Sequence, residues 1–472
     1  MNAVTTVSDA DDADTRRGHA YVVVLFFVCF AFSYLDRQIV SILVQPIKET
    51  LTLTDTQIGL LQGFSFTLCY ATAGVFIARL IDRSNRVRLI AVCVAIWAVS
   101  TALCGFAHNF GELLAARAGT AIAEAGLSPA ALSIFSDLYP PRKVTRASSV
   151  FMLGPYIGGG VALFGGGMLL GSLEHGAGAT WLAGAGLNGW QAVFVAVGLP
   201  GLALAAIVAL SVREPQRRGL SPALDATAPG SAAAGRVVAT ERASGRVFMD
   251  EAAQDSTPPL KDVLRELFVK NRFCLPYFGA YVALITLFYS HAAWFPTLLI
   301  RHFHLTPRVV GQMAAPAYMF GGILGVVSAG LLAGRVSDAA ALRKVLALSA
   351  LAALLLVPAA IAMPLVGDVH IAVVLYGACA FAASVAMALA PVPIQIAIPN
   401  RMRGRSIALL VFLTNAISGG LGPFAVGFIN ERLGGHSAGL GVALACVGGV
   451  AAAFSALLYG VAARRTPVRT IA

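Results

Sequence analysis

The sequence predicts an all-α integral membrane protein, with twelve transmembrane helices in two pseudo-symmetric six-helix halves. Three features lead there. Hydrophobic residues fill 58% of the 472 positions and charged residues only 12%, too few charges to cover a soluble domain of this length. Apolar runs of about 18 residues or more recur along the chain, long enough for a helix to cross hydrocarbon, whereas barrel strands alternate over about ten residues. Lys and Arg crowd into alternate loops, as a topology signal does.

The apolar runs lie near 21–46, 57–78, 89–107, 112–136, 147–171, 189–211, 273–300, 309–333, 343–365, 370–398, 406–429 and 438–462. Of the 34 Lys and Arg, 28 fall on one side of these spans and 4 on the other, with Arg37 and Arg117 inside spans. Both termini are therefore expected in the cytoplasm. The net charge of +11 serves topology, and no nucleic-acid partner is expected. Asp9, Asp11, Asp12 and Asp14 precede Arg16 and Arg17, and no small-residue cleavage site follows the first run. That run is expected to be a retained span.

The expected organisation is a tail at 1–20, a first half at 21–211, a linker at 212–272, a second half at 273–463 and a tail at 464–472. The linker is the only long polar stretch, rich in Ala, Gly, Ser and Pro over 219–245, with a short surface helix expected at Leu260–Lys270. The halves repeat. Asp82 in ARLIDRSNRVR matches Asp338 in GRVSDAAALRK at an offset of 256, and Arg142…Arg146 matches Arg401…Arg405 at 259. The first offset lays Asp36 onto Ala292, beside His291.

Asp36 and Arg37 stand near the middle of the first span, where each costs about 2.5–3.5 kcal/mol to insert, so a purely structural helix has no use for them. Arg117 and Glu124 sit seven residues apart in the fourth span. Two helical turns put both on one face, about 10 Å apart along the axis. An intramembrane arginine needs an acidic or carbonyl partner, so spans one and four are expected to touch. A carboxylate moved between desolvation and an arginine can bind and release a proton; the alternative is a static ion-pair network that only fixes packing. Because adjacent helical residues point about 100° apart, Asp36 is expected to face the proton site and Arg37 the substrate cavity. In the second half Tyr289, His291, Trp294 and Asn415 are candidate cavity residues with a wet end and an apolar end.

The loop Ala78–Arg88 places Asp82 at the end of a span, followed by Arg83, Arg86 and Arg88. A carboxylate there can cap a neighbouring helix and pair with a guanidinium in one conformation only. The pattern resembles the Gly-x-x-x-Asp-Arg-x-Gly-Arg-Arg loop of the major facilitator superfamily, with Ala78 and Asn85 in place of its glycines and Val87 inside its basic run. Asp82, Arg83, Arg86 and Asp338 are thus the expected conformational gate. Span five carries Gly154-Pro155-Tyr156-Ile157-Gly158-Gly159, where glycines permit close helix approach and Pro155 a bend; it resembles the fifth-helix motif of proton-coupled antiporters in that superfamily.

Longer stretches, YLDRQIV at 34–40, TDTQIGLLQGFSFTLCYA at 54–71, the 116–151 segment, GWQAVFVAVGLPGL at 189–202 and VREPQRRG at 212–219, resemble the Spinster branch. That resemblance implies a carrier of sphingolipids or lysophospholipids in which Asp36 and Glu124 are the proton-linked carboxylates. It also implies that Arg37 is the basic partner of an anionic head group. A small organic anion is the competing substrate class. A lipid-modifying enzyme lacks any nucleophile–base or His/Cys constellation in this sequence, and no ATP-binding loop of the G-x-x-x-x-G-K-[ST] type occurs. The seven cysteines form no C-x-x-C pair and are expected to be small packing residues. No cofactor or metal is expected, and the chain is read as a monomer of the bacterial inner membrane.

Overall fold

The computed structural model describes residues 5–173, 186–217, 259–333 and 341–466, with isolated positions between the first two segments. Its regular structure among these residues is all helical, with twelve helices long and apolar enough to span a bilayer: Gly18–Leu51, Asp55–Arg83, Arg86–Cys104, Phe110–Leu138, Lys143–Leu173, Gly189–Ser211, Cys274–Phe303, Pro307–Leu332, Ala341–Ala362, Val369–Ala397, Arg401–Arg432 and Ser437–Arg464. They are called spans one to twelve below. Most run a few residues past the apolar stretch that predicts them, because a helix continues into polar sequence until a cap or breaker ends it. Thr54, for instance, caps span two through a reciprocal bond with Gln57.

Several spans are interrupted. Span two breaks at Gly63, span four at Ala125 and Gly126 directly after Glu124, and span ten before Pro391. Span five stops at Phe151 and restarts at Gly154. Pro155 therefore sits in the first turn of a new helix, where its missing N–H is not needed, rather than bending a continuous one. Span eleven carries a π-helical turn at Thr414–Ser418, a feature common at functional sites.

The outer surface inverts the soluble pattern: Leu210, Val374 and Val450 are 88%, 70% and 70% exposed, as lipid-facing side chains are. Where lipid is as apolar as leucine, close helix contact depends on small residues. In span five Gly154 and Gly158 lie on Phe30 and Ala31 of span one, while Gly159 lies on the Tyr318 ring of span eight. The first six and last six spans meet mainly through two pairs, five on eight and two on eleven. These pairs are exchanged by the sequence repeat, so one two-fold relation describes both the repeat and the interface.

The polar connection after span six is only partly described. Val212–Arg217 has no regular secondary structure and is bound to spans two and three, so these six residues are a strap rather than free linker. Residues 218–258 lie outside the described residues. The expected surface helix is present as Leu260–Arg265, continued by a π-turn at Glu266–Lys270. Its Val263 and Leu267 are fully buried against the start of span seven. Of the cysteines, Cys446 is exposed and Cys69 half-buried, the others buried.

Candidate functional site

Four charged side chains meet between spans one and four. Arg37 Nε donates to Glu124 Oε2 at 2.6 Å, and the Ser33 hydroxyl, one turn earlier on span one, donates to the same oxygen at 2.7 Å. Arg117 Nη1 donates to the Asp36 carbonyl at 3.2 Å and to Asp36 Oδ2 at 3.4 Å. The pairing is crossed because Asp36 and Arg37 point in different directions from one helix, and each finds its opposite charge on the neighbouring one.

Burial makes this set costly and consequential. The Asp36, Glu124 and Arg117 side chains are 2% exposed or less, while Arg37 keeps 15%. Two positive and two negative charges balance, which is what makes their desolvation tolerable. The balance is incomplete in hydrogen bonds: Asp36 Oδ1, Glu124 Oε1 and Arg117 Nε have no partner among the described residues. Each carboxylate thus holds one oxygen on an arginine and one unpartnered oxygen where a proton has a place to sit.

Arg37 is also enclosed by aromatic rings. Its guanidinium lies 4.9 Å from the Tyr34 ring centre, 4.6 Å from Phe66 and 4.5 Å from Tyr70. Phe66 also lies 5.2 Å from Arg117, so span two holds both arginines by cation–π attraction. Tyr289, half-buried on span seven, stands close to Arg37. Three rings of the first half thus surround Arg37, and Tyr289 brings the second half near it.

The other candidates are elsewhere. His291 is buried, with neither ring nitrogen bonded. It packs on Gly448 of span twelve and lines a narrow crevice with Tyr318 and Tyr376, inside the second half. The Trp294 indole is buried and donates to the Pro423 carbonyl at 2.9 Å. Asn415, in the π-turn, donates back to the Val411 carbonyl of its own helix at 2.9 Å. None of these three joins the charged set.

The expected gate is divided. Asp82 and Arg83 are exposed at the end of span two, and Asp338 lies outside the described residues. Arg86 instead is 2% exposed and held by Asp137 at 2.5 Å, Glu214 at 2.6 Å and Ser133 at 2.9 Å. Glu214 also accepts from the Val87 N–H at 2.9 Å. Arg217 donates to the Ile81, Asp82 and Ser84 carbonyls, the unpaired acceptors at a helix C-terminus. Together these contacts make a clamp within the first half.

At the opposite end a second polar cluster closes the halves on each other. Asp55, 2% exposed, accepts from Lys48 at 2.7 Å, from both terminal nitrogens of Arg301 at 2.9 and 3.0 Å, and from Asn430 at 2.6 Å. Arg301 Nε also donates to Gln45 at 2.8 Å, and the Thr56 N–H to Glu431 at 3.1 Å. Asp55 reads in sequence as an ordinary first-turn acidic residue beside a Thr cap. The signal that could have found it is scarcity: Lys48 and Arg301 are two of only four basic residues on that side.

The pattern of the Major Facilitator Superfamily matches residues 26–423. The chain belongs to the Major Facilitator Superfamily. It is accordingly a secondary transporter and not an enzyme. Among relatives of this facilitator, an MFS-type efflux pump of Mycolicibacterium smegmatis is 29% identical over 440 residues, 92% of this chain and 90% of the relative. A probable L-galactonate transporter of Escherichia coli is 25% identical over 308 residues, 65% of this chain and 60% of the relative. A bacterial homologue of the human lysosomal transporter Spinster, crystallised in an inward-facing, unoccupied conformation, superposes with a TM-score of 0.74 at 24% identity. That match covers 95% of this chain and 97% of the other.

Proposed function

We propose that this facilitator is a proton-coupled transporter of an amphiphilic, lipid-like substrate of the sphingolipid or lysophospholipid class. In this reading the two halves rock about the Arg37 site and expose it alternately to the two sides of the membrane. The observation that carries the reading is the crossed set Asp36–Arg117 and Arg37–Glu124, buried, charge-balanced and with one unpartnered oxygen on each carboxylate. Protonating either carboxylate removes one negative charge and leaves an arginine uncompensated. That arginine then seeks an anionic group on the substrate or a different packing of the helices.

The aromatic surround of Arg37 supports the amphiphile: a guanidinium for an anionic head group sits among Tyr34, Phe66, Tyr70 and Tyr289, which offer apolar surface to a chain. We place the protein as a monomer in the bacterial inner membrane with both termini and the Arg86 clamp in the cytoplasm. The Asp55 cluster then seals the outer side.

Proton-gradient-driven uptake of lysophospholipid into proteoliposomes tests this. Asp36→Asn and Glu124→Gln are each expected to abolish acceleration by the gradient, and undiminished coupled uptake in both variants would sink the mechanism. A second reading, symport of a small organic anion, is supported by the exposed fraction of Arg37 and by the likeness to the probable L-galactonate transporter. Competition separates the two: long-chain lysolipids inhibit in the first case, short sugar acids in the second.

A further inference from the structure

Gln38 follows the Asp36–Arg37 pair, and its amide leaves the first half altogether. Gln38 Nε2 donates to the Ala292 carbonyl of span seven at 2.6 Å. Main-chain carbonyls in the middle of a helix are normally occupied by the N–H four residues on. For Ala292 that residue is Pro296, inside the Cys274–Phe303 helix, and proline has no N–H to give. A carbonyl left open within the membrane is costly, and Gln38 fills the position from the opposite half. Its amide is positioned for this by Ser41, which is buried: the Ser41 hydroxyl donates to the Gln38 carbonyl at 2.7 Å, and Gln38 Nε2 donates to that hydroxyl at 3.0 Å.

We infer that Gln38 is a positioning residue of the transport cycle. Its amide completes the proline-interrupted helix of span seven only while the halves are closed at the Asp55 end, and so ties that closure to the helix that carries the buried charges. The bond sits next to Arg37 in sequence and on the same helix as Gln45 and Lys48 of the seal, so a rotation of span one that rearranges the charged pairs also withdraws the amide. The inference rests on the rocking of the two halves proposed above.

Amide hydrogen exchange on the full-length protein in lipid nanodiscs tests it without a substrate. Gln38→Ala is expected to accelerate exchange in 48–56 and 298–306 about three- to tenfold, the equivalent of one net hydrogen bond. Gln38→Met, which keeps the length of the side chain but has no hydrogen-bond donor, is expected to match it. Exchange in span six stays unchanged if the fold is intact; uniform acceleration across all spans would mean general destabilisation and overturn the inference. Pro296→Ala supplies the missing N–H, so Gln38→Ala in that background is expected to add less than twofold. An equal increment in both backgrounds, or full protection in Gln38→Met, would overturn it as well. Failure of the rocking reading is distinguishable, because it shows as undiminished gradient-driven uptake in Asp36→Asn and Glu124→Gln, whereas the exchange difference between the two Gln38→Ala backgrounds is read without transport.

Discussion

Glu124 ends the first helical segment of span four, and its carboxylate is gripped by Arg37 from span one at 2.6 Å. Removing the carboxylate leaves a largely buried guanidinium without its paired counter-charge. Glu124→Ala is expected to destabilise the protein by about 3–5 kcal/mol, measured as a fall in the thermal midpoint in detergent. Glu124→Gln keeps the Ser33 contact and imitates the protonated state, so a smaller loss is expected. Its transport rate should vary less with pH than that of the wild type, because one titrating carboxylate is gone. The sign follows from charge: acidification neutralises Glu124 in the wild type and frees Arg37, a change that Gln has already made.

Asp55 makes a separate prediction at the other end of the molecule. It compensates Lys48 and Arg301 together and joins spans one, two, seven and eleven. Asp55→Asn is expected to loosen the seal, raising amide exchange in 298–306 by tenfold or more. The neighbouring Glu431 contact lies in an exposed setting and is worth roughly 0–1 kcal/mol by comparison. Glu431→Gln should therefore change exchange at the same segment by less than about fivefold.

Much of the architecture is legible from the chain because the bilayer reduces folding to a length rule. Twelve apolar runs give twelve spans, and the costly charges at 36, 37, 117 and 124 single themselves out. Their partnership is also foreseeable, since an intramembrane arginine has so few acids to reach. What a linear reading misses depends on three-dimensional neighbours. That Asp36 and Arg37 diverge is read from helix geometry, but the crossed pairing, in which each carboxylate engages an arginine of the other span, is seen only in the fold. Asp55 lies at a helix start where acidic residues are common, and only folding shows that it spans both halves. Arg86 belongs to a basic loop in sequence, and only folding shows that Glu214 and Asp137, 128 and 51 residues away, hold it in a buried clamp. Gln38 has significance only once Pro296 is opposite it.

Gly158 offers a packing test that no charge complicates. Its Cα approaches the main chain of Ala31 so closely that an added Cβ would collide with backbone, whereas Gly165 in the same helix has open space at that position. Overpacking costs about 1–3 kcal/mol, and Gly→Ala at an unhindered helical site gains up to about 1 kcal/mol. Gly158→Ala is expected to lower the thermal midpoint and Gly165→Ala to hold or raise it. Equal effects at the two sites would contradict the close approach of spans one and five.

The clamp at Arg86 makes the last prediction. Arg86 is buried, and its bonds to Asp137 and Ser133 come from span four while Glu214 comes from the strap after span six. Glu214→Ala removes one of two carboxylates from a buried guanidinium and also unbinds the Val87 N–H at the start of span three. Arg217→Ala removes only donors to carbonyls at the end of span two, two of its three bonds being exposed. Water can replace those donors at an exposed helix end but cannot replace a carboxylate beside a buried charge. Limited proteolysis within 212–217 should therefore accelerate strongly in Glu214→Ala and only slightly in Arg217→Ala. The reverse order would mean that the helix-end bonds, rather than the buried ion pair, hold the strap in place.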